Sequence, residues 1–440
     1  GYTRYGTFSA GLSLSLDIDE RSYDSSGESN EASVDGDDYR KFLLTPLLQY
    51  VTKSERDRFE LRAQPSIKYD FEDEKTDWDS DFSFSAMREL SRYWTISGYN
   101  RYLQSDHYEN RSTEKTTQAL SSPNLNADPG RRRYIQNSLN LATDYIYQEG
   151  SLVKLSFDWD VLRNDDDDDG YEDYDRSAIS LRDEHRFTKK WRTVADLSYV
   201  LGEYDEFDFD TADARKGSSS DLQEYYILLR LENNSIEHNP LSTSYRYTGV
   251  NYEDNDRGDD LIHELQLSWR NDITPHLYTV IGAGPSYKQT RGSDENWGGN
   301  GVAELSYRLQ HGLLHFRLDK GYKADNFSGT DERGVIDTWA ATLKLSYQLS
   351  RALTLDSKLV YNYEDREGVS GSNELTADLL PGNTKQRYSS EAGIGFKLFQ
   401  HQSVRLSYTY STQDADQAID TYDDHRVFLS TSWQQDILQW

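Results

Sequence analysis

The stretch from Trp339 to Tyr363 reads Trp-Ala-Ala-Thr-Leu-Lys-Leu-Ser-Tyr-Gln-Leu-Ser-Arg-Ala-Leu-Thr-Leu-Asp-Ser-Lys-Leu-Val-Tyr-Asn-Tyr. Trp339, Ala341, Leu343, Leu345, Tyr347 and Leu349 occupy alternate positions, with Thr342, Lys344, Ser346 and Gln348 between them. After Ser350-Arg351-Ala352 the alternation resumes with Leu353, Leu355, Ser357, Leu359, Tyr361 and Tyr363 against Thr354, Asp356, Lys358 and Asn362. A period of two places the two sets on opposite faces of a strand. The stretch therefore predicts a hairpin with one apolar and one polar face. Each arm runs at least eleven residues, beyond the five or six usual in soluble sheets. That is the length of a tilted strand crossing a bilayer.

Composition agrees with this for a reason specific to barrels. Hydrophobic residues make up only 35% of the 440, and mean hydropathy is -0.88. No segment approaches the run of about eighteen apolar residues that a transmembrane helix needs. A transmembrane barrel does not need one, because only every second strand residue meets lipid. The 33 Tyr and 9 Trp suit aromatic girdles at two interfaces. A net charge of -29 with low hydrophobicity is also a signature of disorder, but the sustained alternation argues against that. Acidity this strong argues against a nucleic-acid partner, whose binding needs a basic face. The absence of Cys removes disulfides and thiolate metal sites. With no basic n-region or apolar h-region at Gly1, the chain reads as a mature form without its signal peptide.

The same grammar recurs along the chain. Phe8, Ala10, Leu12, Leu14, Leu16 and Ile18 alternate with small and polar residues, and Phe59, Leu61, Ala63, Ile67 and Tyr69 alternate with Arg58, Glu60, Arg62, Gln64 and Lys68. The expectation is an all-β fold: one antiparallel transmembrane β-barrel domain over residues 1–440 with about 20 strands (18–22). Connections alternate as well. Short turns at Thr52–Asp57, Ser91–Arg92, Thr188–Lys190 and Ser350–Arg351 are interleaved with longer acidic segments such as Asp17–Asp38, Ser105–Arg132, Arg163–Asp173 and Glu203–Ser220. This asymmetry predicts short periplasmic turns and long extracellular loops, with both termini periplasmic. Pro46, Pro65 and Pro285 fall inside apparent strands, where they cannot donate to a ladder, so bulges or strand ends are expected there. Gln434–Trp440 breaks the parity of the last strand.

The hairpins centred on residues 88–95, 187–193 and 348–354, with a terminal Trp440, give the chain an arrangement that resembles bacterial outer-membrane β-barrel proteins. Within these it is most similar to the large porin-like barrels associated with exopolysaccharide export. The barrel subunit of porin–cytochrome electron conduits is similar in the same general way. The resemblance implies the outer membrane as location. It also implies membrane lipid, lipopolysaccharide and the barrel-insertion machinery as partners.

Candidate functional residues lie on the polar face. The expected pore lining is Arg62, Arg182, Arg186, Arg192, Arg230, Arg246, Arg270, Arg308, Arg317 and Arg405, with Asp158, Asp160, Asp196, Glu264 and Glu304 among them. Arginine forks carboxylates and phosphates bidentately, so this wall suits passage of an anion. Cross-strand pairing that simply holds a wet wall together is the plainer alternative. Asp165, Asp167 and Asp169, followed by Gly170, match the first half of an EF-hand loop. Arg176 stands where the bidentate Glu belongs, so weak calcium binding or a solvated loop tip are the two readings, and no other cofactor is expected. No hydrolase motif is present; His263, His315 and Ser268 can be imagined as a catalytic set, but spacing alone does not pair them, and no enzymatic activity is expected.

Three functions are open at this point. They are a channel or export conduit for polar, anionic solutes or polysaccharide; a sheath for a partner protein such as a multihaem cytochrome; and a surface protein acting through acidic loops. A wide barrel also needs a constriction. Ser105–Arg132 with Arg131, Arg132 and Arg133 leaves two readings: it folds inward onto Asp158, Asp160 or Asp196 as the constriction, or it is an outward loop with its arginines at the base. Leu343, Leu345, Leu355, Leu359, Ile227, Leu229, Leu265 and Leu267 are expected at the lipid.

Overall fold

In a computed structural model the chain is described over residues 5–23, 38–105, 133–164, 173–204, 221–236, 239–253, 259–291, 295–327, 334–366, 383–416 and 421–439. The strands are β1 (Tyr5–Tyr23), β2 (Tyr39–Lys53), β3 (Asp57–Ala63), β4 (Ser66–Asp70), β5 (Lys75–Ser91), β6 (Trp94–Ser105) and β7 (Tyr134–Gln148). There follow β8 (Ser151–Asn164), β9 (Tyr174–Arg186), β10 (Trp191–Tyr204), β11 (Leu222–Asn233), β12 (Leu241–Tyr252), β13 (Asp260–Thr274) and β14 (Leu277–Thr290). The last are β15 (Glu295–Leu309), β16 (Gly312–Ala324), β17 (Val335–Gln348), β18 (Leu353–Arg366), β19 (Asn383–Phe399), β20 (Gln402–Ala415) and β21 (Tyr422–Gln439). Apart from β3 and β4, each strand pairs antiparallel with the next along the chain, and β21 pairs with β1 to close the sheet.

β3 and β4 both pair with β2 on one side and β5 on the other. They are two halves of one position, so twenty-one strands make a barrel of twenty positions. The interruption is at Gln64 and Pro65, and the register of the two halves places Pro65 opposite Pro46. Neither proline can donate, so the ladder breaks there without a slip. Thr45 and Ser66, the next pair along, bridge their hydroxyls at 2.8 Å. Strand parity at the C-terminus resolves similarly. The β1–β21 register shifts between Phe8 and Ser9, leaving Ile437 as an extra residue between Asp436 and Leu438. This bulge turns Leu438 to the same outer face as Trp433 and Ile437, all three exposed.

The short connections share a local chemistry. Ser54, Ser91, Thr188, Thr274 and Ser350 each accept a backbone N–H two or three residues ahead, at 2.9–3.3 Å. Hydroxyl side chains stabilise tight turns this way. All these turns lie at one end of the barrel with both ends of the described chain, and the longer connections lie at the other. β1 runs on through Tyr23, so Asp17 and Asp19, expected in a loop, are lumenal strand residues.

The outer surface is apolar. Leu61, Leu229, Leu267, Ile281, Leu359 and Leu406 are all exposed at mid-height. Tyr93, Trp94, Tyr145, Trp191 and Phe399 ring the short-turn end, and Tyr225, Trp297, Tyr388 and Tyr408 stand toward the other. All eight residues expected at the lipid stand on this face; Leu265 is 48% exposed whereas its neighbour Glu264 is 4%. A closed sheet satisfies every ladder bond internally, the condition for crossing hydrocarbon.

Candidate functional site: the lumen

Parity sends the remaining side chains inward, and in the half of the barrel nearer the short turns they form an ion-pair ladder. Arg182 holds Glu184 at 2.7 Å and Asp196 at 3.5 Å, and Arg192 holds the same Glu184 and reaches Glu232 at 3.7 Å. Arg230 completes the row on Glu232 at 3.0 Å. Further round the wall Arg270 meets Asp272 at 2.9 Å, Arg317 bridges Glu304 at 3.1 Å and Asp319 at 2.6 Å, and Arg405 meets Glu391 at 3.2 Å. Tyr278 donates to Glu304 at 2.7 Å. Higher up, Arg246 pairs with Glu264 at 2.9 Å and Arg176 with Asp160 at 2.8 Å, while Asp158 accepts from Asn140 at 2.6 Å.

The acids do not neutralise this wall. Register places Arg186 opposite Arg192, Lys154 opposite Arg182 and Lys344 opposite Lys358. Like charges directly opposed destabilise a sheet, and acids on the flanking strands offset part of this, Asp144 opposite Lys154 and Glu391 opposite Lys358. Arg62 donates to Gln64 at 2.5 Å. Among the described residues Arg186 and Arg308 have no carboxylate at ion-pair distance. Arg308 lines a cavity of about 520 Å³ at the short-turn rim with Arg270, Asp272, Tyr278 and Ser306. In this half Arg58, Arg62, Lys154, Arg182, Arg186, Arg192, Arg230, Arg270, Arg308, Arg317, Lys344, Lys358 and Arg405 face Glu60, Asp144, Glu184, Asp196, Glu232, Asp272, Glu304, Asp319, Asp356, Glu391 and Asp436. Bases are in excess on the lumen wall of a chain whose net charge is -29.

The other half carries a feature that sequence reasoning missed. Residues Asp325, Asn326 and Phe327, following β16, are fully buried inside the barrel. Phe327 stacks on Tyr204 at 5.9 Å and meets Tyr174 edge-on at 5.3 Å, with the Arg176 guanidinium 5.4 Å from its ring. Asn326 is bonded on every polar atom of its side chain: Nδ2 donates to Glu224 at 2.6 Å, and Oδ1 accepts from Tyr252 at 3.0 Å and from the Gly334 N–H at 2.9 Å. Tyr204 donates to its carbonyl at 2.5 Å. Gly202 is part of the seat, since a Cβ there would lie 2.8 Å from the Phe327 ring. A cluster of Leu162, Val200, Leu222, Val250, Ile262 and Val335 surrounds it. Its signal in the sequence was doubled apolar residues at strand ends: Val200-Leu201, Gly249-Val250, Leu261-Ile262 and Val335-Ile336 break the alternation where lumenal positions should be polar.

The expected constriction segment 106–132, with Arg131 and Arg132, lies outside the described residues, as do Asp165, Asp167 and Asp169. Arg133 is described, and its carboxylate partner is Asp77 on β5 at 2.9 Å rather than Asp158, Asp160 or Asp196. His263 faces outward in an aromatic group, hydrogen-bonded with Tyr245 at 2.8 Å. Ser268 points into the lumen and donates to Gln266 at 3.3 Å. The three residues considered for catalysis are thus not assembled.

Fold and lumen define the class: an outer-membrane-type β-barrel of porin-like build. No known family profile matches the sequence, and no curated protein matches it. Solved structures are similar to it. The crystal structure of Pseudomonas aeruginosa OpdQ aligns with a TM-score of 0.45 at 11% identity, covering 98% of this chain and 99% of that one. P. aeruginosa OccK2 (OpdF), in complex with glucuronate, aligns at 0.43 and 12%, covering 98% of each chain. OpdL of the same organism aligns at 0.41 and 11%, covering 98% and 99%.

Proposed function

We propose that this protein is an outer-membrane channel for small anionic solutes, with its short turns and both termini in the periplasm. The observation that carries this is the excess of bases on the lumen wall near the short turns, including like-charged pairs opposed across adjacent strands. An ion pair that merely held the wall together would use one acid per base. Arg186 and Arg308 instead present guanidinium forks suited to carboxylate or phosphate. The inward segment at Asn326 and Phe327 narrows the opposite half, which favours small solutes over a polymer or a folded partner in the lumen. Reversal potentials of the purified barrel in planar bilayers under a KCl gradient test this. Chloride preference is expected, and it should weaken in an Arg186→Gln/Arg308→Gln variant. Cation preference, or no conductance in the intact barrel, would overturn the reading.

A further inference from the structure

The cavity beside Arg308 at the short-turn rim, about 520 Å³ in volume, has the size of a small-molecule site. Register shows how it is built. Asp272, Tyr278 and Ser306 stand opposite one another across β13, β14 and β15, and Leu313 of β16 stands opposite Arg308 one row nearer the rim. The turn Ile273-Thr274-Pro275-His276 lines the cavity on the rim side. That turn is held by local chemistry. Pro275 fixes its own φ, the Thr274 hydroxyl accepts the His276 N–H at 3.2 Å, and the His276 carbonyl accepts the Arg308 N–H at 2.7 Å. The last bond ties the backbone of Arg308 to the wall of the cavity that its side chain lines.

Each acid beside this cavity already holds a base. Asp272 accepts from Arg270 Nε at 2.9 Å, and the Arg270 guanidinium lies 4.4 Å from the Tyr278 ring centroid. In the row above, Glu304 accepts from Tyr278 at 2.7 Å and from Arg317 at 3.1 Å. Arg308 holds no acid among the described residues. Its planar fork matches two coplanar oxygens, the geometry of a carboxylate. Asp272 and Glu304 stand close by, so a second negative charge on a ligand is penalised.

The other half of the site is apolar. Leu313 shares the lumenal parity of His315, Arg317 and Asp319, and the doubled Leu313-Leu314 breaks the alternation of β16 there. The result is a leucine 45% exposed in an otherwise polar stretch of wall, directly opposite the uncommitted guanidinium. Ile273 and Leu277 line the same cavity. A charged fork facing an apolar side chain calls for a ligand with one carboxylate and a short hydrocarbon body. We propose that this cavity binds an aliphatic monocarboxylate, its carboxylate on Arg308 and its chain against Leu313. This rests on the channel reading, which brings such a solute through the lumen to the rim, and it narrows the solute class from small anions to those with a single charge and an apolar tail.

The absence of native Cys makes a single-cysteine reporter unambiguous. A trifluoromethyl tag at Ile273→Cys in the detergent-solubilised barrel would be followed by its fluorine resonance as sodium pentanoate is added at constant ionic strength. Acetate and glutarate are the comparison probes. A saturable shift is expected, with pentanoate bound several-fold more tightly than acetate, which lacks the chain, and than glutarate, which carries a second charge. Arg308→Lys keeps the charge and loses the fork, and should weaken pentanoate about tenfold, as for the loss of one of two charge-assisted hydrogen bonds. Leu313→Asn should bring pentanoate down to the affinity of acetate. No saturable shift, equal affinity for the three probes, or an unchanged pentanoate affinity in either variant would overturn the proposal. Variants are read only in barrels with heat-modifiable gel mobility. Leu277→Cys, on the same cavity, is the second reporter should Ile273→Cys misfold, and the comparison of probes needs no change at Arg308 or Leu313. The fluorine signal requires no current, so a barrel that does not conduct can still show the site, and an anion-selective barrel can prove to lack it.

Discussion

Lys344 and Leu345 are adjacent in β17, yet one faces charged neighbours in the lumen and the other faces lipid, because the strand period leaves no intermediate position. Leu345→Arg should therefore destabilise the barrel by about 2–4 kcal/mol, read as a lower urea midpoint in lipid vesicles. Lys344→Gln should not lower the midpoint, since it keeps a polar side chain in the lumen and removes one charge of the opposed pair with Lys358. Equal midpoints for the two variants would mean that the faces are assigned the wrong way round. Asn326 is the opposite kind of residue, with all its side-chain polar atoms bonded. Asn326→Ala removes one bond each from Glu224 and Tyr252 in a buried site, and a buried polar group that loses its bond costs about 1–3 kcal/mol. The expected outcome is a segment that no longer holds its place, seen as faster hydrogen exchange at Gly334.

At the scale of elements, the β16–β17 connection does the narrowing and the seat on β9–β12 holds it. Phe327→Ala empties that seat, and Gly202→Val fills it from the wall side. Both should raise single-channel conductance while leaving barrel assembly intact, and unchanged conductance in both would place the constriction elsewhere. Gly284→Ala should act differently. Its Cβ meets backbone rather than a movable side chain, so β13 and β14 must part further, and a loss of heat-resistant gel mobility is expected. The break between β3 and β4 has no such effect on neighbouring strands, because opposed prolines interrupt bonding without shifting register.

For the whole molecule, charge is divided by surface. The chain carries -29, yet the lumen wall near the short turns has spare bases, so the net acidity resides elsewhere. Fields at a water-filled mouth are screened over about 8–10 Å at ordinary salt. Anion preference should therefore decline as KCl rises from 0.1 to 1 M, and the decline should be steeper in wild type than in Arg186→Gln/Arg308→Gln. Orientation is testable on the same scale. Protease added to intact cells should cut within residues 106–132 and spare Lys189 and Arg351; cleavage at those turns would invert the topology.

How much of this could be read from sequence depends on what is local. Strand length, parity and the alternation of short and long connections follow from a period of two and from turn chemistry within a few residues, so the hairpin at 339–363, the outward leucines and a count near twenty were legible. The inward arginines were legible for the same reason. Their partners were only partly so, because pairing depends on cross-strand register: Arg133 meets Asp77, and Arg186 meets another arginine. The closure at the Ile437 bulge and the inward seat of Phe327 required the tertiary structure. Each joins residues far apart in the chain, and a local pattern carries no information about which distant backbone will fill a gap or leave one.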